Sequence, residues 1–218
     1  MVASVAPEHE VRVLDFMFLD DPLAQVDRTV GEFRPDLIGI SVRNIDNQDS
    51  VHPEAYFPQV KELVDHLKEL GPAPVVLGGA GFSVAPREFM EFTGADFGLV
   101  GEGEESFAGF LQAYPGRDWE KVPGLIWRQE GGLRLNPLQH IRRLNLLPRP
   151  AREHFTPRLY EETPGSAGLT RSSIMAATPS ASAETVSKWT WRTGTPSGRG
   201  ERRRLSIPAI ASSRYGLL

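Results

Sequence analysis

The sequence alternates apolar strands with amphipathic helices, and this alternation limits the possible folds more than any other feature. "DLIGISV" (36–42) is an almost unbroken apolar run, typical of a strand buried on both faces of a parallel sheet. Such a rhythm predicts an α/β fold built on an open, mostly parallel sheet. Further strands are predicted at 11–18, 74–79 and within 95–103, and helices at about 23–33, 53–70, 86–93 and 104–114.

The character of the chain changes twice along its length. Residues 1–120 carry the α/β pattern. Residues 121–162 contain "VPGLIWRQEGGLRLNP", which predicts a β-hairpin, followed by a proline-rich connector. Residues 163–218 lose all apolar periodicity and are rich in Ser, Thr, Ala, Gly and Arg, so we expect them to be largely disordered.

Composition excludes several classes of site. The chain has no cysteine, which rules out disulfides, thiolate zinc sites and a cysteine-held iron–sulfur cluster within it. The net charge of −4 combines an acidic body with a basic tail, and an acidic body argues against nucleic acid as the main partner. No apolar run reaches the roughly 20 residues of a membrane span, and signal-peptide features are absent. We therefore expect a soluble, cytoplasmic protein.

Unusual residues follow three of the predicted strands, at the ends where open parallel sheets bind ligands. Glycines there leave the backbone bare, so that a flat or bulky ligand can lie against it and bond to its amides. Glycines after strands also serve tight turns, and this alternative remains open for "GGAG". The candidates are Ser41, Arg43, Asn44, Asp46 and Asn47 after the first strand, Gly78, Gly79, Ala80 and Gly81 after the second, and Gly101, Glu102, Gly103 and Glu104 after the third.

The acidic residues of "GEGEE" have two interpretations. Glu102, between two glycines, is expected to accept hydrogen bonds from a polar ligand, whereas Glu104 and Glu105 could equally be partners of a helix dipole. Neither a G-x-G-x-x-G motif after the first strand nor a Walker A loop is present. The histidines are scattered without a pair at ligand spacing, so the sequence predicts no metal site built by the protein, and we assign no catalytic residue.

A family resemblance rests on "GIS", "VVLGG", "ADFGLVGEGEESF" and "VPGLIWR". In combination they resemble the cobalamin-binding domain of B12-dependent radical SAM enzymes, over about residues 9–155. The resemblance implies a flavodoxin-like fold with cobalamin across the carboxyl edge of the sheet. It implies a cobalamin-binding module that lacks the iron–sulfur catalytic domain, with a radical SAM catalytic domain as partner in an intact relative. It matches Ser41, Gly78 and Gly79 to the S-x-L and GG elements of the family, and Gly101, Glu102 and Gly103 to its GEGE loop.

Three departures from that family are visible. The D-x-H-x-x-G motif, which supplies a cobalt-ligating histidine in many B12 proteins, is absent. Family members begin with one more strand, central to the sheet, so the strands at 11–18 and 36–42 are expected to pair directly or to borrow a strand. The cluster-binding C-x-x-x-C-x-x-C segment is replaced by "GLTRSSIMAATPSASAE". A lost reading frame near residue 170 is one hypothesis for this tail, and a native disordered tail is the other.

Two other functions remain open at this stage. One is a flavodoxin-like domain that binds another nucleotide or a protein partner without catalysis. The other is a small enzyme that uses Glu102 with a metal ion.

Overall fold

A computed structural model describes residues 1–16, 19–47, 50–154 and 204–210, the last as backbone only. One compact unit, Met1–Phe155 with Arg203–Tyr215, contains every element described below. The described strands are β1 (Glu10–Asp15), β2 (Leu37–Val42), β3 (Val75–Gly78), β4 (Phe97–Leu99), β5 (Leu125–Gln129), β6 (Gly132–Leu135) and β7 (Arg204–Ile210). The described α-helices are α1 (Val2–Val5), α2 (Pro22–Phe33), α3 (Phe57–Leu70), α4 (Ala80–Val84), α5 (Pro86–Thr93) and α6 (Gly103–Ala113).

The strands form one mixed sheet in the order β1-β7-β2-β3-β4-β5-β6. The first five are mutually parallel, while β5 and β6 are antiparallel to their neighbours. The predicted α/β fold with a mostly parallel sheet is therefore confirmed. The predicted hairpin at 121–162 forms as β5 and β6, and it extends the sheet instead of standing apart from it.

Helices cover both faces of the sheet. Helices α2, α3, α4 and α5 contribute to one apolar cluster, in which the Phe57 and Phe89 rings stack with their centroids 3.8 Å apart. Helices α1 and α6 contribute to the other, around Phe107 and Phe110. Within the described ranges, no helix is long and apolar enough to cross a membrane.

Helix α3 begins at Phe57, four residues later than the predicted start at Pro53. The preceding segment is closed by backbone bonds from Asn47 N to the Glu54 carbonyl oxygen (3.0 Å) and from Tyr56 N to the Ile45 carbonyl oxygen (2.8 Å). The Tyr56 amide is the group that a helix starting at Pro53 would use for its first intrahelical bond. The Glu54 carbonyl oxygen would have no helical donor, because Pro58 lacks an N–H. A second difference is α4, a five-residue helix directly after Gly79 that the periodicity did not predict.

The expectation of a disordered tail is corrected at β7. These seven residues lie between β1 and β2, in the centre of the sheet, and pair with both strands. The strands predicted at 11–18 and 36–42 therefore do not pair directly, and the borrowed strand comes from the far end of the chain. The remaining residues of 163–218 lie outside the described residues.

Replacing Gly31 in α2 with alanine is expected to raise the free energy of unfolding by about 0.5–1 kcal/mol. Gly31 lies inside the helix, and a Cβ built on it meets no atom within 4 Å. Urea unfolding monitored by circular dichroism measures the change. Gly94→Ala is the matched control that should lose stability, because Gly94 has a φ of +73°. Unchanged or reduced stability of Gly31→Ala would contradict the described helix.

Candidate functional site

The ends of β2, β3 and β4 meet along one edge of the sheet. Ser41 is the register partner of Gly78, and Leu77 is the partner of Gly98. The Ser83 hydroxyl, on α4, donates to the Gly79 carbonyl oxygen (2.9 Å) and accepts from the Gly101 amide (2.9 Å). One side chain thus links the glycine turns after β3 and β4. The edge that the sequence predicted is a contiguous feature of the molecule.

Gly79 and Gly81 face the chain's own backbone. A Cβ on Gly79 would lie 2.4 Å from the Val42 carbonyl oxygen, and one on Gly81 would lie 2.7 Å from the Asn44 carbonyl carbon. Real Cβ atoms do not approach other atoms so closely, because such separations are well inside van der Waals contact. These two glycines therefore allow α4 to pack against the residues that follow β2. The tight-turn alternative applies to Gly79, which has a φ of +95° in the turn before α4, whereas Gly81 lies inside α4 and allows close backbone packing.

Gly78 and Gly101 have more room. The nearest atom to a Cβ on Gly78 is the Leu99 carbonyl oxygen at 3.7 Å, and on Gly101 it is Leu138 Cδ2 at 3.5 Å. Gly78 is half-buried and Gly101 is exposed. Gly101 has a φ of +87°, so the turn after β4 requires glycine for its conformation.

The polar candidates after β2 lie beside these glycines. Ser41 and Asn44 are half-buried and Arg43 is exposed. The Ser41 hydroxyl oxygen lies 3.0 Å from the point where a Gly79 Cβ would be. Ala80 is exposed at the first position of α4, which starts at this edge. A hydroxyl, an amide, a guanidinium and bare backbone thus lie within one part of the edge.

Glu102 has a partner within the chain. Its carboxylate accepts a hydrogen bond of 2.7 Å from the Ile141 amide, in the connector after the hairpin. The start of that connector is fixed by the buried Asn136, whose amide nitrogen donates to the carbonyl oxygens of Trp119 (2.7 Å) and Val122 (2.8 Å). The expectation that Glu102 accepts hydrogen bonds from a ligand therefore competes with a bond already present in the protein.

Met1 also contacts the loop after β4. Its sulfur lies 3.4 Å from the position of a Cβ on Gly103. Burial lowers the pKa of the Met1 α-amino group below its usual value, and the negative charge of Glu104 opposes that shift. Glu104 and Glu105 lie in the first turn of α6, where carboxylates favour the helix dipole. The loop Gly101–Glu104 is thus partly covered by Met1 and by the connector.

Replacing Glu102 with alanine is expected to speed hydrogen exchange of the connector amides around Ile141 by roughly 3- to 10-fold. The reason is that the Ile141 amide loses an acceptor worth about 1 kcal/mol. Exchange measured by mass spectrometry over residues 138–142 tests this. Glu102→Gln, which keeps an acceptor oxygen, and the exposed neighbour Glu105→Ala are the controls. Equal exchange in Glu102→Ala and the parent protein would show that the bond does not hold the connector.

Comparison with known proteins decides the family. The family model of the B12 binding domain matches residues 1–111. The chain belongs to the B12-binding domain family. Over 121 residues this chain is 32% identical to tryptophan 2-C-methyltransferase of Streptomyces laurentii, covering 54% of this chain and 20% of that protein. Over 139 residues it is 27% identical to an uncharacterized methyltransferase of Pyrococcus horikoshii, covering 63% of this chain and 28% of that protein.

Solved structures agree with this assignment. This chain is similar to the radical S-adenosylmethionine methyltransferase TsrM from Kitasatospora setae, solved with cobalamin and a [4Fe-4S] cluster bound. Their TM-score is 0.57 at 31% identity, over 65% of this chain and 26% of that one. The cobalamin-dependent S-adenosylmethionine radical enzyme OxsB, at a TM-score of 0.51 and 15% identity, shares the fold. This chain spans between 20% and 28% of the length of these relatives.

These matches confirm the resemblance inferred from the glycine and glutamate motifs. They also confirm the flavodoxin-like fold. Cobalamin is the cofactor of the family to which this domain belongs, and the domain corresponds to the cobalamin-binding part of the B12-dependent radical SAM methyltransferases.

Sequence reasoning missed three features of the edge. Ser83 carries no motif of its own, and its role follows only from the five-residue helix that turns it back toward Gly79 and Gly101. Gly98 lies inside a buried strand, where a Cβ would come within 2.2 Å of the Phe82 ring. A glycine inside a strand is itself a signal of close packing. The hydrogen bond between Glu102 and Ile141 joins residues 39 positions apart, and no local sequence pattern predicts it.

Proposed function

We propose that this domain binds cobalamin at the carboxyl edge of the sheet and presents it to a radical SAM catalytic domain. The single observation that supports this most strongly is the Ser83 bridge, which joins the turns after β3 and β4 into one continuous edge in a B12-binding family member. Ligands of open parallel sheets bind beyond this edge.

The residues of the edge fit the cofactor best over the ends of β2 and β3. Gly78 has no side chain, so a flat group can approach its half-buried backbone, and the half-buried Ser41 hydroxyl on the neighbouring strand can donate or accept a hydrogen bond. Arg43 and Asn44 can supply donors for phosphate and amide groups, and the exposed Ala80 gives access to the backbone at the start of α4.

We assign the loop after β4 to the border of the cofactor site. Glu102 already accepts from Ile141, and Met1 approaches Gly103. We therefore place the cofactor beside this loop, with Gly101 as its nearest bare backbone, and not on the Glu102 and Glu104 carboxylates. Gly79 and Gly81 act indirectly, because they allow α4 to lie close to the end of β2.

When bound, cobalamin would supply a cobalt centre able to carry a methyl group. This chain's own residues would bind and orient the cofactor. The sequence has no cysteine, so thiolate ligands for an iron–sulfur cluster would have to come from another polypeptide segment.

Within the described part of the chain, no group of three or more His, Asp or Glu side chains could hold a metal ion, so the proposal of a metal-dependent enzyme built on Glu102 has no support there.

Titration with hydroxocobalamin tests the proposal. The full chain is mixed with the corrinoid, passed through a desalting column and examined for visible absorbance. We expect about one equivalent of cobalamin to elute with the folded protein and none with the protein denatured in urea. Elution of colourless protein would contradict the proposal. Parallel retention of flavin mononucleotide in place of cobalamin would favour a flavodoxin-like domain for another nucleotide.

A further inference from the structure

The connector that follows β6 leaves the sheet at the candidate cofactor edge. Strand β4 ends at Leu99, which pairs with Leu125, the first residue of the antiparallel β5. Because β6 is antiparallel to β5 in turn, its last residue, Leu135, returns to the same edge, where it pairs with Ile126. The residues after Leu135 therefore begin beside the turn that follows β4.

Hydrogen bonds attach this connector to the edge at two places. The Gly124 amide, just before β5, donates to the Pro137 carbonyl oxygen (3.1 Å). Further along, the Ile141 amide donates to the Glu102 carboxylate (2.7 Å). Leu138 lies between these two attachments in the sequence, so the backbone that carries it is held at the edge on both sides.

The Leu138 side chain packs against glycines at the end of β4 and the start of β5. Its Cδ2 atom lies 3.5 Å from the position of a Cβ on Gly101 and 3.1 Å from that of a Cβ on Gly124. Leu138 nevertheless remains 50% exposed. It therefore presents an apolar surface directly beside the turn after β4.

The position of Leu138 indicates a ligand contact more strongly than its exposure does. Single exposed leucines are common on protein surfaces. A ligand that approaches Gly101 from the side where a Cβ would be, however, must contact Leu138. In the sheet order, β3 separates the end of β4 from the end of β2, where the polar candidates Ser41 and Asn44 lie. The edge is thus polar on its β2 side and carries a leucine on its β4 side.

We propose that Leu138 supplies the apolar contact to cobalamin on the β4 side of the site. This inference rests on the proposed function and adds a binding residue to it. Cobalamin has two broad apolar surfaces, the corrin ring and the benzimidazole base, and a leucine can pack against either of them.

Substitutions at Leu138 test the contact by absorbance titration with hydroxocobalamin. Leu138→Ala is expected to bind about 5- to 10-fold more weakly, because apolar contact area is lost. Leu138→Asp should bind at least about 30-fold more weakly, since its carboxylate would lose water against an apolar surface. Leu138→Met, which keeps the size and polarity of the side chain, should bind within about 2-fold of the parent protein.

Leu144→Ala is the matched control. Leu144 is 52% exposed on the same connector, and among the described residues it has no atom within 4 Å of the Gly101 Cβ position. This variant should bind as the parent protein does. Equal binding by the parent, Leu138→Ala and Leu138→Asp would overturn the contact and leave the proposed function standing. Absence of binding by the folded parent protein would refute both.

Cobinamide, which has the corrin ring but lacks the benzimidazole nucleotide, distinguishes the two apolar surfaces. If Leu138 packs against the corrin ring, Leu138→Ala should weaken the binding of dicyanocobinamide and of cobalamin by the same factor. If it packs against the base, only cobalamin binding should weaken. Either result supports the contact, whereas unchanged binding of both corrinoids would overturn it.

A labelling experiment tests the same contact without relying on a weakened affinity. The chain has no cysteine, so Leu138→Cys introduces a single thiol. We expect saturating cyanocobalamin to slow its reaction with N-ethylmaleimide at least about 5-fold, because the bound cofactor would shield the thiol. The thiol of Leu144→Cys should react at an unchanged rate. Mass spectrometry measures both rates. Unchanged labelling at position 138 in the cobalamin-bound protein, or equal slowing at both positions, would overturn the proposed contact.

Discussion

Replacing Gly79 with alanine is expected to lower the free energy of unfolding by about 2–4 kcal/mol. Two costs add in this variant. Gly79 has φ of 95° and ψ of 172°, a region of conformational space that is essentially restricted to glycine. Its Cβ would also lie 2.4 Å from the Val42 carbonyl oxygen, and backbone cannot give way as a flexible side chain can. Chemical unfolding monitored by circular dichroism measures the loss.

The adjacent glycine provides the control. Gly78→Ala should change the free energy of unfolding by no more than about 1 kcal/mol, because the nearest atom to its Cβ is 3.7 Å away. Similar stabilities for the two variants would contradict the described packing of α4 against the end of β2. A Gly79 variant cannot by itself test cofactor binding, because a loss of binding would also follow from the expected loss of folding stability.

Replacing Ala80 with tryptophan is expected to weaken hydroxocobalamin binding at least about 30-fold, or roughly 2 kcal/mol, without loss of stability. Ala80 is exposed at the first position of α4, directly beside the turn after β3. An indole there would occupy space that we assign to the cofactor, and the exposed position gives it no contact inside the protein to disturb. Absorbance titration with hydroxocobalamin measures the affinity.

Val84→Trp is the matched control for Ala80→Trp. Val84 is 68% exposed on the same helix, one turn further from the edge. This variant should bind cobalamin as the parent protein does. If both variants bind normally, the cofactor does not lie over the start of α4. If both lose binding equally, the effect is not specific to the edge.

Much of the sheet could be predicted from local sequence. The apolar runs of β2 and β3 and the periodic residues of α2 and α3 gave correct elements, because burial on both sheet faces and on one helix face leaves a direct pattern. The position of the candidate edge also followed, since parallel strands present their carboxyl ends together. Strand β7 could not be predicted from the local sequence. "RLSIPAI" contains a proline and lies in a polar tail, and only the vacancy between β1 and β2 gives it a place.

The roles of individual glycines could not be predicted from the sequence either. "GGAG" predicts bare backbone but not what faces it. The structure separates Gly79 and Gly81, where a Cβ would clash with Val42 and Asn44, from Gly78, where a Cβ would make only an ordinary van der Waals contact. The same limit applies to Glu102, whose partner Ile141 is distant in sequence. Contacts between segments that are remote along the chain depend on the assembled fold, and single-sequence patterns do not encode them.

Hydrogen exchange of the full chain with and without hydroxocobalamin tests the central claim most directly. If cobalamin lies across the carboxyl edge, exchange should slow over residues 41–44 and 78–83. It should stay unchanged over residues 71–74 and 94–96, which precede β3 and β4 at the opposite edge of the sheet. Slowed exchange at the opposite edge alone, or no change at 41–44 and 78–83 under saturating hydroxocobalamin, would contradict this site.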